Sequence, residues 1–151
     1  IKKFNVSESE IGRHFADTRD TLCYATNDNQ NAIYGLLREK ADLAIVAGGY
    51  NSSNTSHLYE LCEKQLSTYY ISSADRIVSK DKIHRFDFHR KTETTAEDFL
   101  PSKKSVAIML ASGASCPDVI VENIMWKILS FFEDRRNLDD VMADFKRNYS
   151  P

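Results

Sequence analysis

Along the chain, short apolar runs alternate with stretches dense in Ser, Asn and Asp. The run Leu43–Ala47, inside "DLAIVAG", is apolar without alternation, the pattern of a strand buried on both faces. "SVAIMLA" (105–111) repeats that pattern, and "TYYI" (68–71) is a shorter version. Elsewhere the rhythm is helical. Thr26 is placed to cap a helix over 27–40, with Ile33, Leu36 and Leu37 on one face and Arg38–Lys40 in the last turn. Asn54 or Thr55 caps a second helix reaching about Leu66, with Leu58, Leu61 and Cys62 at helical spacing. "SSADRIV" reads as a capped single turn, and "HRFDFHR" (84–90) alternates as an edge strand or hairpin arm does. Pro117 opens a third helix, Asp118–Phe132. Residues 1–19 read as the end of a preceding segment, and 134–151 as a charged tail, helical in rhythm at "LDDVMADFKRN".

Buried strands alternating with helices predict an α/β domain over 20–133, a parallel sheet flanked by helices. Ligands in such folds sit at the carboxyl ends of the strands, so the loops following the strands are where chemistry is expected. Composition narrows the choice of ligand. The 151 residues suit one domain, and 42% hydrophobic content supports a buried core. A net charge of −2 with no basic stripe argues against nucleic acid as the main partner. The apolar runs are too short to span a bilayer. Three widely spaced cysteines suit a reducing compartment rather than a disulfide framework. The opening "IKKFNVSESEIG" has no initiator Met and starts mid-pattern, as a fragment would.

Three loops carry the candidate chemistry. In "DTLCYATNDNQNA" (20–32), Cys23 lies just ahead of a helix start, where free amides and the dipole favour a thiolate; the other reading is a buried Cys packing as a small hydrophobe. In "VAGGYNSSNTSHL" (46–58), Asn51, Ser52, Ser53, Asn54 and Thr55 offer hydroxyls, amides and helix-start N–H groups, a seat for an anion held without charge. Plain helix capping is the competing account of that run. "ASGASCPD" (111–118) follows the same plan, with Gly113 allowing close backbone approach and Ser115 ahead of the helix. Cys62 falls on an apolar helix face and Cys116 is read as packing. His57 begins a helix, His84 and His89 flank the alternating strand, and Asp139, Asp140 and Asp144 read as a solvated face. No metal-binding His or Cys spacing and no nucleophile triad emerges.

On these loops the chain resembles a known family. "TLCYATNDNQNA", "GGYNSSNTSHL" and "SGASCPDVIVEN", with "ADLAIV" between them and "FLP" (99–101) ahead of the last strand, are similar to the C-terminal third of the 4-hydroxy-3-methylbut-2-enyl diphosphate reductase (LytB) family, in its plant and cyanobacterial branch. The resemblance runs from about Asp20 to Phe132. It implies one of three similar α/β domains around a [4Fe–4S] cluster, with Cys23 as one of three cysteine ligands. It further implies that Ser52, Ser53, Asn54 and Ser115 bind the substrate's diphosphate. The implied reaction is reductive removal of a hydroxyl, yielding isopentenyl and dimethylallyl diphosphates, with ferredoxin or flavodoxin as electron donor. The family's other two cluster cysteines, its diphosphate-binding histidines and its catalytic Glu have no counterpart here. The resemblance therefore implies no catalytic residue in this chain and no activity of the chain alone. The implied compartment is a plastid stroma, or the cytoplasm of a bacterium. A stand-alone phosphate-binding α/β module without redox chemistry is the alternative, and a degenerate or truncated product a third.

Overall fold

A computed structural model of the protein describes residues 24–132 and 147. Its centre is β1 (Leu43–Ala47), five residues with no exposed side chain among them. Helix α1 (Tyr24–Leu36) precedes it, and α2 (Ser53–Glu63) leads from it to β2 (Ser67–Ile71). A 3-10 turn, Ala74–Arg76, follows, and then a hairpin of β3 (Lys82–Asp87) and β4 (Thr92–Glu97). Strand β5 (Ile108–Ser112) and helix α3 (Asp118–Leu129) complete the order.

The sheet runs β2-β1-β5, parallel throughout, in the register Leu43↔Ser67 and Leu43↔Ile108. Alternate residues of β1 feed different cores, as the two-residue period of a strand requires. Ala44 and Val46 join Ile33 of α1 and Leu58, Leu61 and Cys62 of α2. Leu43, Ile45 and Ala47 join Ile124 and Ile128 of α3, with Ile77 and Ile83. Helices α1 and α2 therefore cover one face and α3 the other, the sandwich predicted from the buried strand patterns.

Several boundaries differ from expectation for identifiable reasons. Helix α1 starts at Tyr24, with Thr26 buried inside it rather than capping it, and ends at Leu36. A tight turn closes it there, with Arg38 N–H donating to the Gly35 carbonyl at 3.2 Å. Leu36 is 44% exposed, not packed beside Ile33. The cap of α2 is Ser52, whose Oγ accepts from Thr55 N–H at 3.3 Å, so Asn54 and Thr55 lie within the first turn. Strand β5 begins at Ile108 and buries only Met109 and Ala111 fully, because it lies at one side of the sheet. Pro117 is the residue before α3, extended at φ −62° and ψ 137°, and the helix ends at Leu129. Of "HRFDFHR", only 84–87 lie in the hairpin arm β3, and 88–90 belong to the turn; the partner β4, "TETTAE", has no buried residue to mark it in the sequence. The segments 1–19 and 134–146, with Cys23, Asp139, Asp140 and Asp144, lie outside the described residues.

Candidate anion site at the carboxyl edge

The chain leaves β1 toward α2 on one face of the sheet and leaves the adjacent β5 toward α3 on the other. Loops that diverge like this open a crevice at the strand ends, the usual ligand position in a parallel α/β sheet. Here the carboxyl edge is formed by Gly48–Thr55 after β1 and Ser112–Cys116 after β5, and neither segment contains a charged side chain.

The two loops are tied to the sheet and to each other. Gly48 N–H donates to the Ile71 carbonyl at 3.1 Å, and Gly113 N–H to the Ala47 carbonyl at 3.2 Å. The Tyr70 hydroxyl donates to the Gly49 carbonyl at 2.6 Å, and burial pushes its pKa up, which keeps it a donor. Asn29 of α1 reaches the same edge, its Nδ2 donating to the Ser112 carbonyl at 3.2 Å. Between the loops sits Thr55, wholly buried. A Cβ on Gly48 would lie 2.7 Å from the Thr55 hydroxyl oxygen, and one on Gly113 would collide with that same atom. Gly48 also has φ +154°, a conformation side chains rarely adopt.

Of the four residues of the predicted diphosphate seat, Ser52, Ser53 and Asn54 follow β1 and Ser115 follows the neighbouring β5, while Ser53 also lines an open cleft beside α2. Ser52 is half-buried and already accepts from Thr55 N–H; Ser53 is exposed at the first position of α2. Asn54 is the unusual one. Both polar atoms of its carboxamide are buried, and neither has a hydrogen-bond partner among the described residues. Such a group costs roughly 1–3 kcal/mol unless something satisfies it. Across the crevice, Ser115 is exposed, and the Cys116 N–H to Gly113 carbonyl bond of 2.8 Å folds its loop into a turn. The first N–H groups of α2 and α3 add donors with no intrahelical acceptor. Chemically, this edge can hold an anion with neutral donors.

The remaining candidates lie elsewhere. Cys62 is completely buried beneath α2, and burial pushes its thiol up to about 11, so it packs as read. The Cys116 thiol is also raised, by burial and by the nearby Asp118 carboxylate. Among the described residues no group of three His, Cys, Asp or Glu could hold a metal ion. His57 is exposed, 3.8 Å from Glu60, and His89 Nε2 lies 3.0 Å from both oxygens of Glu63. His84 pairs with the Thr95 hydroxyl at 2.8 Å. Sequence reasoning missed Thr55 as a joint and Asn29 as a strut. It also missed an open cleft of about 880 Å³ beside α2, lined by Tyr50, Phe86, Phe88 and Lys91. The glycines facing one another across the strand ends were the available signal for the joint. The aromatic spacing of β3 was the signal for the cleft.

A parallel sheet covered on both faces, with two uncharged, donor-rich loops at its carboxyl edge, defines an α/β domain. More specifically, the chain belongs to the LytB family: the pattern described as "LytB protein" matches residues 2–129. It is 41% identical over 121 residues to the 4-hydroxy-3-methylbut-2-enyl diphosphate reductase of Thermosynechococcus vestitus, covering 80% of this chain and 29% of that protein. To the reductase of Trichodesmium erythraeum it is 44% identical over 131 residues, covering 86% of this chain and 31% of the other. Among solved structures it is similar to (E)-4-hydroxy-3-methyl-but-2-enyl diphosphate reductase, described as the terminal enzyme of the non-mevalonate pathway. That match has a TM-score of 0.51 and 28% identity over 73% of this chain and 32% of the other. The chain thus spans about three tenths of the length of these relatives. No helix among the described residues is long and apolar enough to cross a membrane.

Proposed function

We propose that this chain is the third α/β domain of a 4-hydroxy-3-methylbut-2-enyl diphosphate reductase and that its carboxyl edge holds the substrate's diphosphate. Residues 20–133 make up the domain, between the end of a preceding segment (1–19) and a tail (134–151). The observation that carries the reading is the Asn54 carboxamide, buried without a partner among the described residues in the loop that the resemblance assigns to diphosphate. Asn54 Nδ2 donates to a phosphate oxygen, and the Ser52, Ser53 and Ser115 hydroxyls donate beside it. Helix-start N–H groups add their dipoles to an anion that no Lys or Arg of these loops neutralises. The work of this domain is to hold the substrate in place; the loops contain no acid or base to move a proton.

Cys23, immediately before α1 in sequence, is the proposed ligand of a [4Fe–4S] cluster shared with the rest of the enzyme. When bound, a cluster with three thiolates supplies electrons and a Lewis-acidic iron. Cys62, wholly buried in the core beneath α2, packs rather than ligates. With one thiolate to contribute, the chain alone is inactive. The electron donor is ferredoxin or flavodoxin, and the compartment a plastid stroma or a bacterial cytoplasm.

The test is calorimetric titration of inorganic diphosphate into the full-length enzyme carrying Asn54→Ala or Ser115→Ala. Loss of a hydrogen bond to a charged group weakens binding about ten- to hundredfold. Unchanged affinity with a lowered melting temperature would return these residues to plain architecture.

A further inference from the structure

We infer that Thr55 is a positioning residue that fixes the distance between the two anion loops, acting through Gly48 and Gly113 rather than through any contact with ligand. The inference rests on the diphosphate reading above and extends it to a residue that this reading leaves unused.

The argument begins with burial. Thr55 is the only polar residue of α2 with no exposed surface, although it stands in the first turn of a helix whose neighbours Ser53 and His57 are exposed. Its backbone is fixed by the Ser52 cap, and its side chain is wedged between the backbones that end β1 and β5. Both backbone positions are glycine, and at both the space a Cβ would need is occupied by the Thr55 side chain. A Cβ added at Gly113 would also lie 3.2 Å from Thr55 Cβ and 3.5 Å from its Cα, so the β5 loop runs too close to the helix to carry a side chain. Two loops from opposite faces of the sheet are thereby gauged by one side chain. An anion bridging Asn54 and Ser115 needs donors from both loops at a set separation, and tenths of an ångström decide hydrogen-bond strength. A well-packed joint of this kind cannot absorb extra volume without moving its walls.

The proposal predicts coupling between Thr55 and Gly113. In the full-length enzyme, Gly113→Ala is expected to weaken inorganic diphosphate by about tenfold or more, since the new methyl pushes the loops apart. Thr55→Ala removes the colliding oxygen and weakens binding about threefold by loosening the joint. The double variant Thr55→Ala/Gly113→Ala, left with only the 3.2 Å approach of the two Cβ atoms, is expected to bind more tightly than Gly113→Ala alone, a non-additivity that independent sites do not give. Thr55→Ser keeps the oxygen and binds as the parent does. Additive losses, or a Gly113→Ala variant that binds normally, would overturn the inference. If Gly113→Ala does not fold, Thr55→Val decides. Its methyl is wider than the hydroxyl, so affinity falls about threefold while the melting temperature holds, and unchanged affinity again refutes the idea. Asn54→Ala run alongside separates the two claims. Normal diphosphate affinity in that variant removes the diphosphate reading itself, whereas weakened affinity there with no effect at Gly113 or Thr55 removes only the positioning role.

Discussion

Cys62 is a cysteine whose surroundings suppress its acidity. Cys62 has no exposed surface and packs in the apolar cluster of Ala44, Leu58 and Tyr70, and burial pushes its thiol up from the ordinary 9 to about 11. Between those values the unfolded chain releases the proton and the native chain keeps it. The stabilisation is therefore complete below about pH 9 and is lost as pH rises through 11. At about 1.4 kcal/mol per unit, the loss approaches about 3 kcal/mol. Tyr59, raised by burial to about 12, adds a loss of the same sign at still higher pH. The difference in denaturation midpoint between the parent and Cys62→Ala should accordingly shrink from pH 8 to pH 11; a constant difference would contradict it. Asn54 carries the same lesson for polar groups. In the sequence it was one cap candidate among several, and only its buried, unpartnered carboxamide sets it apart from Ser53 beside it.

At the scale of elements, the β3–β4 hairpin depends on its turn. The Asp87 carboxylate accepts from His89 N–H at 3.1 Å and Arg90 N–H at 2.9 Å, and these bonds hold its pKa below the usual carboxylate range. Its contribution is present above the ordinary carboxylate pKa and disappears as pH falls through the depressed value. Asp87→Ala should speed hydrogen exchange at the His89 and Arg90 amides about tenfold at pH 5 while β1 amides are unaffected. Lys91, at φ 55°, completes the reversal with its ammonium 3.3 Å from the Phe88 ring centroid. None of this was legible in advance, because "TETTAE" earns its strand by pairing with β3 and not by burying apolar residues. The elements that were legible are those whose residues enter a core. "LAIVA" reads as a two-faced buried strand and is one, and Leu58, Leu61 and Cys62 mark the buried side of α2. Helix ends were less legible, since Ser52, Asn54 and Thr55 are all good caps, and only the geometry of the Gly48–Gly49 turn selects Ser52.

At the scale of the whole molecule, the chain spans about three tenths of the length of its LytB relatives, so the proposed role of Cys23 is tested in a full-length protein. In the full-length protein, Cys23→Ser should lose most of its iron and its visible absorbance on anaerobic purification, whereas Cys62→Ser should retain both. Equal loss in the two variants would sink the assignment of Cys23. The sheet order has a consequence for how the molecule comes to exist. The central strand completes its pairing only when β5 arrives, and the contact that leads the strand in, Asp42 accepting from Ala107 N–H at 3.0 Å, spans 65 residues. Closing so long a loop is slow relative to forming the β3–β4 hairpin or α2, whose contacts are local. The loop that follows β1 is thus in place early in synthesis and the loop that follows β5 late. A ligand touching both loops binds only the closed sheet, so at saturating concentration it draws the final strand into place.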